Sequence, residues 1–479
     1  MTVILLIIGI TSIIIWGFYI GRNIRLAEYS SNRSHGNTKD IFFTLMGSLV
    51  GGYMFFGLTA IGYEAGTVAI AIGLGYCIGL TLLALSVKKI KELMDKYDCD
   101  TMDDFIGARF GKRVQSLVSL TNFLFFLAVV AAQFIAMNSY LSIVNPGMSK
   151  WFPLLAALVV ILYTSFAGYK GVILTDFPQF IMLAIGALVL LITLLLNTNL
   201  TSLELISKTH LPPTGYGIIF LVGSLLLFPL TLYSRSDLWQ RIAFSKKPEK
   251  ARNAFLLAIP FLLLFYVIFT AIGIISRAEL GTGFPSESSG IMFFTRILMN
   301  TEGFGILPDI LLAVVSLGIF AALLSTADTN LNIGSVALNK LIYSKRWKEF
   351  NTSIKLGERF SGSVENNEQS LINKIKIISG LLGILALILS FVFPDIVDIM
   401  VACASILMVF LPSVIGALFF KHSKSYPAFF SILIGLLSFF VFSLILSNFK
   451  IAFIPSGIVA ALVYIILYKV LKGVVVDEK

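Results

Sequence analysis

Apolar residues in this chain come in long unbroken runs rather than narrow stripes, and the runs set the architecture. Thirteen stretches read as helices, at about 3–20, 40–65, 67–87, 115–141, 151–167, 174–196, 216–234, 252–276, 306–340, 373–393, 396–420, 425–447 and 450–471. A run of roughly 20 apolar residues, rising about 1.5 Å per residue, matches the hydrocarbon core of a bilayer. The expected fold class is therefore an all-α polytopic membrane protein with about 13 transmembrane helices, numbered here as spans 1 to 13. Spans 10 and 11 are divided at Phe393-Pro394-Asp395, a short turn that carries a helix breaker. The first run follows no basic segment and ends in Trp16-Gly17-Phe18-Tyr19, not in a small-residue cleavage site. It is expected to be a retained span and not a signal peptide.

Composition agrees. Of 479 residues, 57% are hydrophobic and 13% charged, against about 45–50% and about 25% in soluble domains. The longest loops are 88–114, 277–305 and 341–372, too short for a separate soluble domain. In the first, Thr101-Met102-Asp103-Asp104-Phe105 reads as a capped cytoplasmic helix. The second holds Ile291-Met292-Phe293-Phe294, an interfacial or re-entrant piece, and the third reads as a solvated connector.

The net charge of +10 would suit nucleic-acid binding, but its distribution points elsewhere. Of the 36 Lys and Arg, 31 fall in the loops after odd-numbered spans and in the C-terminal tail. The opposite side holds only Lys150, Lys208, Arg277, Arg296 and Lys450. The positive-inside rule then puts the N-terminus outside and the C-terminus in the cytoplasm. The three cysteines, Cys77, Cys99 and Cys403, form no CxxC pair, and the three histidines all lie in loops. Neither a disulfide nor a metal centre is expected.

The chemistry lies in two carboxylates, Asp176 and Asp328, set deep in otherwise apolar sequence. A charge near the bilayer centre costs about 2.5–3.5 kcal/mol on insertion scales, so such residues face a pocket, an ion or a partner. Ala322, Ser325, Thr326 and Thr329 follow i, i+3, i+4, i+7 and share one helix face, with Asp328 flanking it. Carboxylate and hydroxyl oxygens are ligands for a hard cation. Hydroxyls that only bond back to the carbonyl four residues earlier would be the plainer explanation. Asp176 could likewise cap the start of span 6.

Interrupted helices are a further pointer. Span 2 carries Gly47, Gly51, Gly52 and Gly57, and span 7 carries Gly223 and Pro229. Transporters place their sites at such breaks in matching positions of two inverted halves. Spans 2 and 7 are five apart, which makes spans 2–6 and 7–11 the halves. Along the helix axis, Ser325 lies roughly 20 Å and Gly47 roughly 10 Å from the cytoplasmic end of its span. Asp176 is near the cytoplasmic start of span 6, so all three could meet in the inner half of one cavity.

Three motifs carry a resemblance to a known family. Tyr163-Thr164-Ser165-Phe166-Ala167-Gly168-Tyr169-Lys170-Gly171-Val172-Ile173-Leu174-Thr175-Asp176-Phe177-Pro178-Gln179 is similar to the signature of sodium/solute symporters. Gln240-Arg241 with its basic loop resembles the same family's "QR" region, and Ala321-Ala322-Leu323-Leu324-Ser325-Thr326-Ala327-Asp328 its "AA..STAD" helix. The three occur in the family's order and cover nearly the whole chain. The resemblance implies a leucine-transporter-type 5+5 inverted repeat over about 40–196 and 216–420. Helices 3–20, 425–447 and 450–471 are then peripheral. It implies a principal sodium site at Gly47, Val50, Ala322, Ser325 and Thr326, and a second ion site at Asp176, Ser325, Asp328 and Thr329. Proline carriers have an acid where this chain has Leu49. Sialic-acid carriers have hydroxyls where it has Leu49, Gly51 and Met54. The candidates left for solute contact are Tyr53, Gln133, Phe228, Thr231 and Ser405.

The expected function is sodium-coupled symport of a small, partly apolar solute into the cytoplasm by alternating access, in an inner or plasma membrane. Lipid is the surrounding partner. No further cofactor, nucleic acid, obligatory protein partner or enzymatic chemistry is expected, since no nucleophile–base pair is visible. Two rivals remain at this level. Asp176 and Asp328 could couple protons instead, or the chain could be a symporter-like membrane sensor.

Overall fold

The structure is a computed structural model, and it describes residues 11–12, 15–16, 19, 24–144, 152–198, 217–300, 305–355, 362–393, 396–420, 424–445 and 452–472. These residues are helical throughout, apart from turns and one isolated parallel bridge between Gly36 and Ser245. Most of span 1 and the Pro394-Asp395 turn lie outside the described residues.

The chain enters through α1 (Leu26–Ser30) and α2 (Thr38–Leu49). A capping box starts α2, where the Asn37 N–H donates to Asp40 Oδ2 at 2.9 Å. A π-helix (Tyr53–Leu58) and α3 (Thr59–Ala65) complete span 2, and α4 runs over Ala69–Tyr97. Then come α5 (Met102–Phe110), α6 (Lys112–Val144) and α7 (Phe152–Leu196). The expected cap of α5 is present, with Thr101 Oγ1 accepting from the Asp104 N–H at 3.3 Å. Gly168 (φ 55°) breaks α7 between spans 5 and 6. Its left-handed backbone needs glycine, and the Tyr29 ring occupies the place of a side chain.

Span 7 is α8 (Ile218–Val222), a π-helix (Gly223–Leu227), α9 (Phe228–Thr231) and a 3₁₀ turn (Leu232–Ser234). The interruption expected from Gly223 and Pro229 is therefore there, as three changes of helical pitch. Next follow α10 (Ser236–Phe244), α11 (Pro248–Leu280), α12 (Ser289–Met299) and α13 (Leu307–Ile342). The chain ends in α14 (Ser344–Lys355), α15 (Gly362–Val392), α16 (Ile396–Phe419), α17 (Ser425–Ile445) and α18 (Phe453–Lys472). These elements fall, in order, on the stretches read as spans 2 to 13. Among the described residues eight stretches are long and apolar enough to cross a membrane, one of them covering the end of span 2 with span 3 and another spans 5 and 6.

One loop differs from expectation, and a second takes a definite form. The 341–372 connector contains α14, whose Trp347 and Phe350 are buried against Leu371, Ile372 and Ile375. Two aromatics three residues apart put one apolar face on an otherwise polar helix. The Ile291-Met292-Phe293-Phe294 piece lies in α12, a helix too short to span, which buries Ile291, Phe293, Phe294 and Ile297 against the bundle.

At the centre, α13 packs along α7 and α6. Gly186 and Gly318 face one another, and a Cβ on either would lie 2.8 Å from the other's Cα. Small residues let membrane helices approach this closely. That approach brings Asp176, ten residues before Gly186, into contact with Ser325, seven residues after Gly318. The outer helices show the reverse pattern. Leu381, Ile388, Phe440, Leu444 and Ile466 are more than half exposed, an apolar surface that suits lipid and not water.

Candidate functional site

The site begins where α2 stops. Val50 has φ −105° and ψ 75°, which turns the chain out of the helix after Leu49. The Gly52 N–H, left without a helical acceptor, donates instead to Gln133 Oε1 on α6 at 2.8 Å. Gln133 Nε2 is anchored to the Val129 carbonyl at 3.0 Å. Gln133 thus braces the break, a role the sequence did not assign to it.

Opposite the break lies the hydroxyl face of α13. Thr326 Oγ1 donates to the Gly47 carbonyl at 3.2 Å, and Ser325 Oγ donates to Asp176 Oδ1 at 2.5 Å. Gly47 fits against both partners, since a Cβ there would collide with Ser325 Oγ and lie 2.8 Å from Asp176 Oδ1. A Cβ at Gly51 would collide with Thr326 Oγ1. Both glycines are needed for close approach, not for backbone conformation. Three elements distant in sequence meet at one point, as the depth argument expected.

Ala322, Ser325, Thr326, Asp328 and Thr329 are all buried, as are Val50 and Asp176. Asp176 Oδ2, both carboxylate oxygens of Asp328 and Thr329 Oγ1 have no hydrogen-bond partner among the described residues. Buried polar atoms are normally satisfied, and unpaired buried carboxylates are costly. The plainer reading of the hydroxyls therefore fails for Ser325 and Thr326, whose bonds run between helices and not back along α13. Asp176 does not act as a helix cap either, because it lies well inside the helix that follows Gly168.

Beside this crossing is a cavity of about 120 Å³. A single water needs roughly 10–15 Å³ on this measure, so the space suits a small organic molecule. Among its lining are Ser48, Tyr53, Tyr76, Phe125, Gln133, Phe220, Phe228, Arg235, Tyr266, Thr326, Asn330 and Phe453. Of the five sequence candidates for solute contact, Tyr53, Gln133 and Phe228 line it. Thr231 does not, and its hydroxyl bonds back to the Phe228 carbonyl at 2.6 Å. The side chain of Ser405 lies outside the described residues. Reading the sequence missed Arg235, which was counted only as a loop charge at the end of span 7. It also missed Asn330, which sits one turn beyond Thr326 on the same face.

Beneath the cavity a buried ion-pair chain joins the helices. Arg235 grips Asp237 with Nε and Nη2 at 2.9 and 2.8 Å. Arg241 reaches Asp237 Oδ2 at 3.4 Å and the Thr44 carbonyl on α2 at 2.7 Å. Burial alone would raise the Asp237 pKa, but Arg235 and Arg241 outweigh it and hold the carboxyl below its ordinary range.

A family model described as the sodium:solute symporter family matches residues 31–435. The chain belongs to the sodium:solute symporter family. It is thus a sodium-coupled symporter working by alternating access, and a transporter rather than an enzyme. No curated protein matches it by sequence. Among solved structures, a Na+-coupled sialic acid symporter in a substrate-bound, outward-open state has a TM-score of 0.79 at 17% identity. It covers 100% of this chain and 98% of that one. MHP1, a nucleobase-cation-symport-1 family transporter in a closed conformation with bromovinylhydantoin bound, has a TM-score of 0.53 at 13% identity, over 93% and 95% of the two chains. MhsT in complex with L-phenylalanine has a TM-score of 0.50 at 14% identity, over 90% and 97%. At these identities the likeness establishes the fold, and it is the leucine-transporter type expected of a symporter.

Proposed function

We propose that sodium is bound where the break after α2 crosses α13. The ligands are the carbonyls of Gly47, Val50 and Ala322 and the hydroxyls of Ser325 and Thr326. A second ion is held by Asp176, Ser325, Asp328 and Thr329. The observation that carries this reading is the convergence of Gly47, Ser325 and Asp176 at a helix break, with unpartnered carboxylate oxygens beside it. Oxygen-only ligand sets suit a hard cation, and broken helices are where such transporters bind their ions.

The small organic solute then occupies the adjoining cavity, against Tyr53, Gln133 and Phe228. The rocking core comprises the halves 40–196 and 216–420, with 3–20, 425–447 and 450–471 at its lipid-facing periphery. The N-terminus lies outside and the C-terminus in the cytoplasm, on the strength of the loop charges. Sodium entering from outside ties α2 to α13 and favours the outward-open state, in which solute binds. Each positive charge carried inward gains about 2.3 kcal/mol per 100 mV.

For the second ion the alternative occupant is a proton, favoured by the unpartnered oxygens of Asp328, which a proton would also satisfy. The experiment is uptake into proteoliposomes at fixed internal and external pH, with sodium or choline outside. Accumulation that requires sodium supports the proposal. Sodium-dependent accumulation that also follows an imposed pH gradient gives the second place to a proton, and accumulation indifferent to sodium overturns the proposed sodium site.

A further inference from the structure

We propose that the solute of this cavity is a small monocarboxylate with an apolar body. Its carboxyl group is received by Arg235 with the Tyr76 hydroxyl beside it. The inference rests on the symport reading of the same cavity and gives it a substrate class.

Arg235 is the one charged residue among those lining the cavity. It is 8% exposed and held rigidly. Of the five N–H donors of a guanidinium, two are taken by Asp237 and one reaches Tyr76 Oη at 3.3 Å. The other two have no partner among the described residues. Asp237 is itself shared, because Arg241 also reaches it, so it does not neutralise Arg235 alone. Arg235 is the guanidinium that faces the cavity. A carboxylate arriving there makes charge-assisted bonds to donors already oriented by Asp237.

The rest of the lining selects against other solutes. No acid lines the cavity, so a cationic solute finds no counter-charge. Gln133 accepts from the Gly52 N–H and donates to the Val129 carbonyl, and Asn330 Nδ2 donates to the Thr326 carbonyl at 2.6 Å. The neutral polar groups left for a solute include the Tyr53 and Tyr266 hydroxyls and Ser224, but among the lining only Arg235 offers a full charge. Aromatic rings at Phe125, Phe220, Phe228 and Tyr266 form an apolar wall for the body of the molecule. One fixed cation calls for one acidic group. Most of a ligand pocket is apolar, with a few placed polar groups that fix orientation, and here the orienting group is basic.

The test uses purified full-length protein in detergent, melted in sodium or in choline. The probes are butyrate, isovalerate, phenylacetate and 3-phenylpropionate, each beside its primary amide. The expected result is that at least one acid raises the melting temperature in sodium and its amide does not. Arg235→Gln should then need about tenfold or more acid for the same shift, and Arg235→Lys should fall between. Asp237 keeps Arg241 in both variants, and an unaltered response to sodium alone shows that they are folded. An amide that matches its acid, or an acid series that is silent while sodium itself shifts the melting temperature, overturns the monocarboxylate assignment and leaves the sodium reading standing. An acid-dependent shift indifferent to sodium does the opposite.

Discussion

Replacing Gly47 by alanine puts the smallest possible probe into the proposed ion site. The added methyl would lie 2.8 Å from Asp176 Oδ1 and 3.2 Å from its Cγ, and closer still to Ser325 Oγ. Comfortable carbon contacts begin near about 3.5 Å, so several tenths of an ångström must be found. Neither neighbour can give. Ser325 Oγ is tied to Asp176 at 2.5 Å, and Asp176 is fully buried. The backbone of α2 has to move away from α13 instead. Overpacking of this kind costs about 1–3 kcal/mol in stability. The loss of sodium affinity should be at least as large, because the methyl stands between the Gly47 carbonyl and the hydroxyls that would share the ion. At 1.4 kcal/mol per factor of ten, half-saturation by sodium rises about tenfold or more. The assay is a sodium titration of the melting temperature of purified protein. Gly217→Ala serves as control, since a Cβ there meets nothing within 4 Å. A Gly47→Ala protein with the parent's melting curve and sodium titration would refute the crossing as the ion site.

Ser325→Ala with Thr326→Ala should raise the sodium required for half-maximal uptake, by roughly tenfold for each hydroxyl lost to a charged partner. Unchanged sodium dependence in the double variant removes the site assignment. Asp176→Asn should lower the charge moved per solute, read from simultaneous current and tracer flux; an unaltered ratio makes Asp176 structural. Asp103 gives a pH prediction. Burial, with Asp104 adding to it, raises its pKa against hydrogen bonds from Ser236 and Asn122. A carboxyl whose folded pKa is raised takes up a proton on folding, so it penalises the fold above that pKa and the penalty fades as pH falls toward the unfolded value. Asp103→Asn should therefore raise the melting temperature at neutral pH, with the gain shrinking on acidification. A gain that is constant with pH would contradict the sign.

Much of this arrangement was readable because the bilayer restricts the choices so severely. A membrane interior admits few backbone forms, so apolar runs alone place the helices. The cost of burying charge singles out Asp176 and Asp328. The face shared by Ser325 and Thr326 follows from helical periodicity, and its meeting with Gly47 from counting depth along antiparallel spans. What escaped depends on side chains that act across sequence. Gln133 was read only as a solute contact, because nothing local shows that it also holds the Gly52 N–H, 81 positions away. Arg235 looked like one more cytoplasmic charge, because its turn toward the cavity is made by the 3₁₀ segment that precedes it. Trp347 and Phe350 were hidden in a polar connector, where two aromatics carry little weight in composition but enough area to dock a helix.

The buried polar groups form one connected system, and its order suggests why ion and solute need each other. Thr326 touches the Gly47 carbonyl; one turn earlier on α2, the Thr44 carbonyl holds Arg241. Arg241 shares Asp237 with Arg235, and Arg235 faces the cavity. The C-terminal half of α2 is thus gripped at two levels, by α13 at the proposed ion crossing and by α10 one turn earlier. An ion bound as proposed, drawing Gly47 toward α13, would move the carbonyl on which Arg241 rests. Coupling of this sort requires an element with two arrangements that both ligands bias, not mere adjacency. The break at Val50 is where such an element would hinge, since the chain leaves the helix there before the π-helix begins. Acidic groups gather at the ion end of the chain and a basic group at the solute end. Sodium and an anion would then each settle charge that the protein alone leaves open.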